Sequence, residues 1–327
     1  MSLSVGIGLT NDCNLDCAHC YRPKDQVYCL TLEEVKTICQ HLPVSAMGMG
    51  TGENSLHPQF LEIVAYLRDR GIRLTMASNG YSLNIIPNEY LRTFHDVEVS
   101  IDFPTEQEQD LFRGQGNWRD VHAAMERCRK LGIEVSILAT MMNTNYDKME
   151  GLARLARSLG VNLRVNVYQS VRTDRFRLSY EQFWEGYRRL FASSQLVSCS
   201  EPVVMAVLGL GPAISPCGRH SIRFTPQGRV TPCVYWPGSS LTIEDVPRLG
   251  EGIMDRPEFQ LARQVPPSAQ DCPCQGGCAS RRALSGDLDQ HDAYCPWVRG
   301  EEIHLEVELA PRKDLPRARN VCTTIVV

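Results

Sequence analysis

The strongest constraint on the fold is a repeated change of hydrophobic period across the first 170 residues. Apolar, strand-like runs at 4–10, 44–50, 72–78, 97–102, 133–141 and 163–169 alternate with stretches of helical period. The helical stretches carry their own punctuation. Residues 31–42 open with a capping box, Thr31 to Glu34, and place Leu32, Val35, Ile38, Cys39 and Leu42 on one face. The stretches that end at Gly71, Gly132 and Gly160 stop on glycine and lead at once into the next strand. Six strand–helix units with short loops predict a parallel sheet with helices outside. Six is too few for a closed eightfold barrel. The expected fold is therefore α/β: a partial (β/α)6 TIM-like barrel or an open sheet. In both, chemistry belongs at the C-terminal ends of the strands.

The pattern changes near residue 195. A last helix opens with a second capping box, Ser179 to Gln182. Residues 222–236 read as a hairpin turning at Pro226–Gly228, and a Cys-, Gly- and Pro-rich stretch runs on to about 298. That unit has little apolar periodicity and is expected to depend on metal for its stability. The predicted division is a barrel over 1–195, a small cysteine-rich domain over 196–299 and a tail over 300–327. The full 327 residues suffice for one large and one small domain.

Bulk composition excludes several classes. No apolar run approaches a membrane span, and the chain enters a strand pattern at once, without a charged-then-apolar signal segment. A net charge of −4 gives nucleic acid no electrostatic purchase. The basic stretches 172–177 and 310–319 read as solvated faces or linker. A cytoplasmic protein is expected.

The informative count is 14 cysteines. A reducing compartment disfavours stable disulfides, and the cysteines are bunched: Cys13, Cys17 and Cys20 on one loop, and Cys217, Cys233, Cys272, Cys274, Cys278 and Cys295 in the second unit. Metal or cluster ligation is the expected use. Cys29, Cys39, Cys128, Cys199 and Cys322 read as small buried hydrophobes or bystanders. The first loop, Cys-x3-Cys-x2-Cys directly after the first strand, offers three thiolates where a closed zinc site needs four. Three suit three irons of a [4Fe–4S] cubane whose fourth iron stays open.

That loop resembles the signature of the radical S-adenosylmethionine (SAM) enzymes. The resemblance implies that the open iron chelates SAM. One-electron reduction then yields a 5′-deoxyadenosyl radical, which abstracts hydrogen from substrate, while the protein supplies orientation and excludes water. His19 takes the position usually aromatic in this loop. Thr51-Gly52-Glu53-Asn54, after the second strand, stand where the family has Gly-Gly-Glu-Pro, so Gly52 and Glu53 match and their neighbours depart. Ser78 and Asn79 end the third strand like the family's Thr-Asn-Gly. Ser100 and Asp102 end the fourth like its Val-Ser-Leu-Asp. All seven, His19, Gly52, Glu53, Ser78, Asn79, Ser100 and Asp102, are implied contacts for SAM or substrate. Tyr21, Asn143, Arg164 and Tyr168 are further residues for the strand rim.

The second cysteine group resembles the SPASM/twitch extension, which holds auxiliary [4Fe–4S] clusters. The correspondence gives Cys217, Cys233 and Cys278 to a first cluster, and Cys274, Cys295 and Cys272 to a second. Each set is one thiolate short, so one or two auxiliary clusters are implied. Zinc is the alternative metal, disfavoured by the Cys-x-Cys-x3-Cys spacing. The implied function is modification of a ribosomally made precursor peptide by crosslinking, rearrangement or backbone excision, with auxiliary clusters relaying an electron. The expected partners are the precursor, a separate leader-recognition protein and a flavodoxin or ferredoxin reductant. A twitch-type dehydrogenase of a small molecule, and a non-catalytic iron–sulfur electron carrier, are the alternatives.

Overall fold

A computed structural model describes residues 2–211, 215–219, 221–311 and 322–327. Six strands run in chain order: β1 (Leu3–Ile7), β2 (Val44–Met49), β3 (Arg73–Ser78), β4 (Phe94–Ser100), β5 (Glu134–Met141) and β6 (Asn162–Val167). Each pairs parallel with the next. The outer helices include Leu32–His41, Phe60–Asp69, Asn117–Lys130, Met149–Leu159 and Tyr180–Phe191. Both expected capping boxes are formed. Gly71 and Gly160 sit in the left-handed region where their helices end.

The sheet does not close. β7 (Gln195–Cys199), β8 (Ser221–Phe224), β9 (Val230–Thr231), β10 (Glu308–Leu309) and β11 (Thr324–Val326) extend it into the order β10-β7-β11-β6-β5-β4-β3-β2-β1-β8-β9. β8 joins β1 in parallel, and β9 returns from it by the expected hairpin, with Gly228 at φ 75°. At the other edge β11 runs antiparallel to both β6 and β7. The tail, which carried no expectation, thus ends as a strand inside the sheet.

Alternation decides what lies on each face. Leu3, Val5 and Ile7 of β1, Met47 and Met49 of β2, Leu74 and Met76 of β3, Val97 and Val99 of β4 and Leu163 and Val165 of β6 are buried in the hydrophobic core with the helices. The intervening residues line the concave face, and many are small or polar: Ser4, Gly6, Ala46, Gly48, Thr75, Ala77, Ser100 and Thr140. A closed barrel fills its interior with bulky layers; this one leaves a cavity of about 1230 Å³.

The floor of that cavity is charged. Arg164 on β6 is ion-paired to Asp96 and lies 3.1 Å from Glu98, both on β4. Arg164 therefore stands within the barrel, among strand interiors, rather than at the rim. Burial pushes Asp96 up to about 6 against the pull of Arg164. Arg164→Met would leave the buried Asp96 and the half-buried Glu98 without this cation. We expect it to cost about 3 kcal/mol or more in urea unfolding; a loss below about 1 kcal/mol would show that the pair is exposed to water.

Candidate active site

The loop after β1 carries Cys13, Cys17 and Cys20 over the C-terminal ends of the strands, and all three line the cavity. Burial pushes the Cys13 thiol up to about 11 and raises that of Cys17. Left alone, both stay protonated at neutral pH. A bound metal's charge would displace those protons. Asn79 Nδ2 donates to Asn14 Oδ1 at 2.8 Å and reaches Cys13 Sγ at 3.6 Å, which fixes the first cysteine against the end of β3.

The turn after β2 is built around a backbone that only one residue tolerates. Gly52 has φ 64°, and a Cβ there would stand 2.3 Å from Asp12 O and 2.7 Å from Thr10 O. Glu53 N donates to the same Asp12 oxygen at 2.7 Å, so this turn grips the cysteine loop one residue before Cys13. Thr51 also has positive φ, 79°, an outlier for a β-branched residue. Its hydroxyl is held by Tyr21 Oη at 2.8 Å and by Arg223 at 2.7 Å, which keep the side chain in place. Glu53 is buried and accepts from Ser78 Oγ at 2.5 Å, Asn79 N at 2.9 Å and Ser82 N at 2.9 Å. A carboxylate has about four acceptor sites, so roughly one remains for a ligand cation.

Asp102 stands apart. It is fully buried, is not among the lining residues, and accepts from Arg113 Nε at 2.8 Å and Thr140 N at 2.8 Å. Burial alone would raise its carboxyl, but Arg113 and then His19 hold it below the ordinary value. Its oxygens are taken up in positioning Arg113, whose backbone carbonyl lies 3.8 Å from Cys17 Sγ. In this structure Asp102 is engaged in a buried ion pair with Arg113. His19 stacks on Phe112 at 4.9 Å, with Nε2 3.7 Å from Asp102. Burial pushes it down to about 4, partly offset by Asp102, and its buried Nδ1 has no hydrogen-bond partner among the described residues.

His19, Gly52, Glu53, Ser78, Asn79 and Ser100 all line the cavity, as do Tyr21 and Tyr168. Asn143 does not; its amide donates to Arg175 O at 2.9 Å. The surroundings fit a cluster held by Cys13, Cys17 and Cys20 beside a polar co-substrate. Three thiols share one short loop, acceptors lie beside it, and space opens below.

The same cavity is also lined by Cys217, Cys233, Cys278 and Cys322. The Cys217 thiol interacts with those of Cys233 and Cys322, and the Cys322 thiol with that of Cys278. Cys322 is therefore no bystander. β11 runs antiparallel to β6, so Cys322, two residues before it, reaches the end of the sheet where the first loop lies. The sequence signal was arithmetic: this set was one thiol short, and a cysteine stood unused just before an apolar run. Cys272, Cys274 and Cys295 gather separately, together with His291, which sequence reasoning had passed over.

Comparisons with known proteins agree with this geometry. Residues 7–156 match the model of the Radical SAM superfamily. The chain is 24% identical to "Mycofactocin maturase MftC" of Mycobacterium ulcerans (strain Agy99), over 95% of this chain and 92% of that protein. It is 23% identical to "Antilisterial bacteriocin subtilosin biosynthesis protein AlbA" of Bacillus subtilis (strain 168), over 94% and 74%. The solved structure of native anSMEcpe with bound AdoMet superposes with a TM-score of 0.71 at 17% identity, covering 91% of this chain and 95% of that one. The chain carries a radical SAM domain, followed by a cysteine-rich C-terminal region.

Proposed function

We propose that this protein is a radical SAM maturase that modifies a ribosomally made precursor peptide. One observation carries the reading: a single cavity is lined both by the three cysteines of the radical SAM loop and by Cys217, Cys233, Cys278 and Cys322. Its volume of about 1230 Å³ exceeds the usual range for a single small ligand, leaving room for SAM and a substrate side chain together. The relatives named for mycofactocin and subtilosin supply the substrate class.

In this reading Cys13, Cys17 and Cys20 hold the SAM cluster, and Cys217, Cys233, Cys278 and Cys322 an auxiliary one. When bound, the cluster and SAM supply a reductively generated carbon radical for hydrogen abstraction. The chain's own residues position and shield. Asn79 and the Gly52 turn fix the first loop, the remaining acceptor site of Glu53 would take the SAM ammonium, and Ser78 and Ser100 offer polar contacts within the cavity. Arg113 and Asp102 brace Cys17. The radical SAM module covers 1–195. The auxiliary module begins at 196 and takes in Cys322. The reduced thiols suit the cytoplasm. Among the described residues no helix is long and apolar enough to cross a membrane. A low-potential reductant such as flavodoxin or ferredoxin and a separate leader-recognition protein complete the assembly.

The test uses protein purified without oxygen, reconstituted, reduced with dithionite and given SAM. Wild type is expected to release 5′-deoxyadenosine, and a Cys13/Cys17/Cys20→Ala variant none. With a precursor peptide, a mass change should accompany it. SAM cleavage without any peptide change, but with oxidation of a small alcohol, would overturn the substrate class. Tight precursor binding by this chain alone would remove the leader protein.

A further inference from the structure

The second group of C-terminal cysteines does not fit a cubane. Cys272, Cys274 and Cys295 bring their sulfurs to 3.3, 3.7 and 3.1 Å of one another. With a ligand nitrogen of His291, all four donor atoms lie within 4.8 Å. A cubane puts each thiolate on a different iron and so holds them much further apart. It also needs space. None of these residues lines the cavity, and Cys274 and Cys295 are packed into the hydrophobic core. Four ligands around one tetrahedral zinc at about 2.3 Å (sulfur) and about 2.0 Å (nitrogen) would stand under about 4 Å apart. The three sulfurs already have that spacing.

His291 supplies an independent observation. One ring nitrogen, Nε2, lies 3.0 Å from Ser268 O. The other, Nδ1, is buried and has no hydrogen-bond partner among the described residues. A ring that donates through one nitrogen and keeps a bare lone pair on the other is the tautomer a metal-binding histidine adopts. A disulfide would use only two of the thiols and leave that lone pair without purpose.

We propose that Cys272, Cys274, His291 and Cys295 form a closed, mononuclear zinc site. This rests on the radical SAM reading only for the iron sites elsewhere. Its role is to fold the loop that presents Cys278. Asp292, beside His291, accepts from Cys278 N at 2.7 Å, and Arg281 bridges Asp292 to the buried Glu201. The zinc anchors this loop at both ends, while Cys278 faces the cavity between them.

Metal analysis of protein made with both iron and zinc supplied, and purified without oxygen, tests this. Wild type is expected to carry about one zinc and about eight irons per chain. His291→Ala should lose zinc at least about tenfold more readily to a chelator, and His291→Cys should keep it. The Cys13/Cys17/Cys20→Ala variant should lose about four irons and no zinc, which separates failure of this site from failure of the radical SAM reading. About twelve irons and no zinc in wild type, with about four lost on Cys272→Ala, would overturn the proposal. So would a metal-free Cys274–Cys295 disulfide.

Discussion

Gly52→Ala is expected to lower SAM cleavage about a hundredfold and to destabilise the protein by about 3 kcal/mol. Two costs add. The first is conformational: the left-handed φ of 64° costs any L side chain about 1–2 kcal/mol. The second is steric, because the new Cβ meets two backbone oxygens, Asp12 O at 2.3 Å and Thr10 O at 2.7 Å, neither of which can rotate away. Asp12 precedes Cys13, so relief of the clash displaces the first cluster ligand. Gly71→Ala is the control. It has φ 70°, but its Cβ would meet nothing within 4 Å. It should show only the conformational cost and full SAM cleavage. Iron content, thermal unfolding and 5′-deoxyadenosine yield are read on both variants. Equal effects from the two would mean that φ strain alone matters and that the turn does not grip the cysteine loop.

What sequence reasoning reached, and what it missed, divides along the range of the interactions. The six parallel strands, both capping boxes and the hairpin at Pro226–Gly228 come from contacts within a few residues, which a local pattern encodes. The helices Tyr81–Ile85, Asn88–Leu91 and Glu106–Arg113 were not anticipated, because one or two turns are too short to display a helical period. The three cysteines of the first loop were legible because they are close in sequence. Cys322 was not, since only the antiparallel placement of β11 brings it beside Cys217 and Cys278. The partners of Asp102 were hidden for the same reason. Its strand-end position is local, but its partners Arg113 and Thr140 reach it from an adjoining helix and a neighbouring strand. His291 carries no motif that distinguishes it from a surface histidine; its Nδ1, without a hydrogen-bond partner among the described residues, is visible only in three dimensions.

Cys322→Ser is expected to remove about four irons per chain and abolish peptide modification, while leaving substrate-free SAM cleavage intact. The reasoning is spatial. Cys322 interacts with Cys217 and Cys278, at the second cysteine set. Serine nearly preserves the shape, and the pairing of Thr324–Val326 with β6 and β7 does not involve the thiol. The sheet should therefore hold, with only a small change in thermal midpoint. Serine's hydroxyl ionises far less readily than a thiol and is a poor cluster ligand. Cys128→Ser is the comparison: that thiol is buried in the core behind the sheet, so it should cost stability without losing iron. If Cys322→Ser kept its full iron and its peptide product, the auxiliary cluster would have to stand on Cys217, Cys233 and Cys278 alone. Loss of SAM cleavage together with peptide modification would instead mean that the two sets are coupled through the shared cavity and cannot be loaded independently.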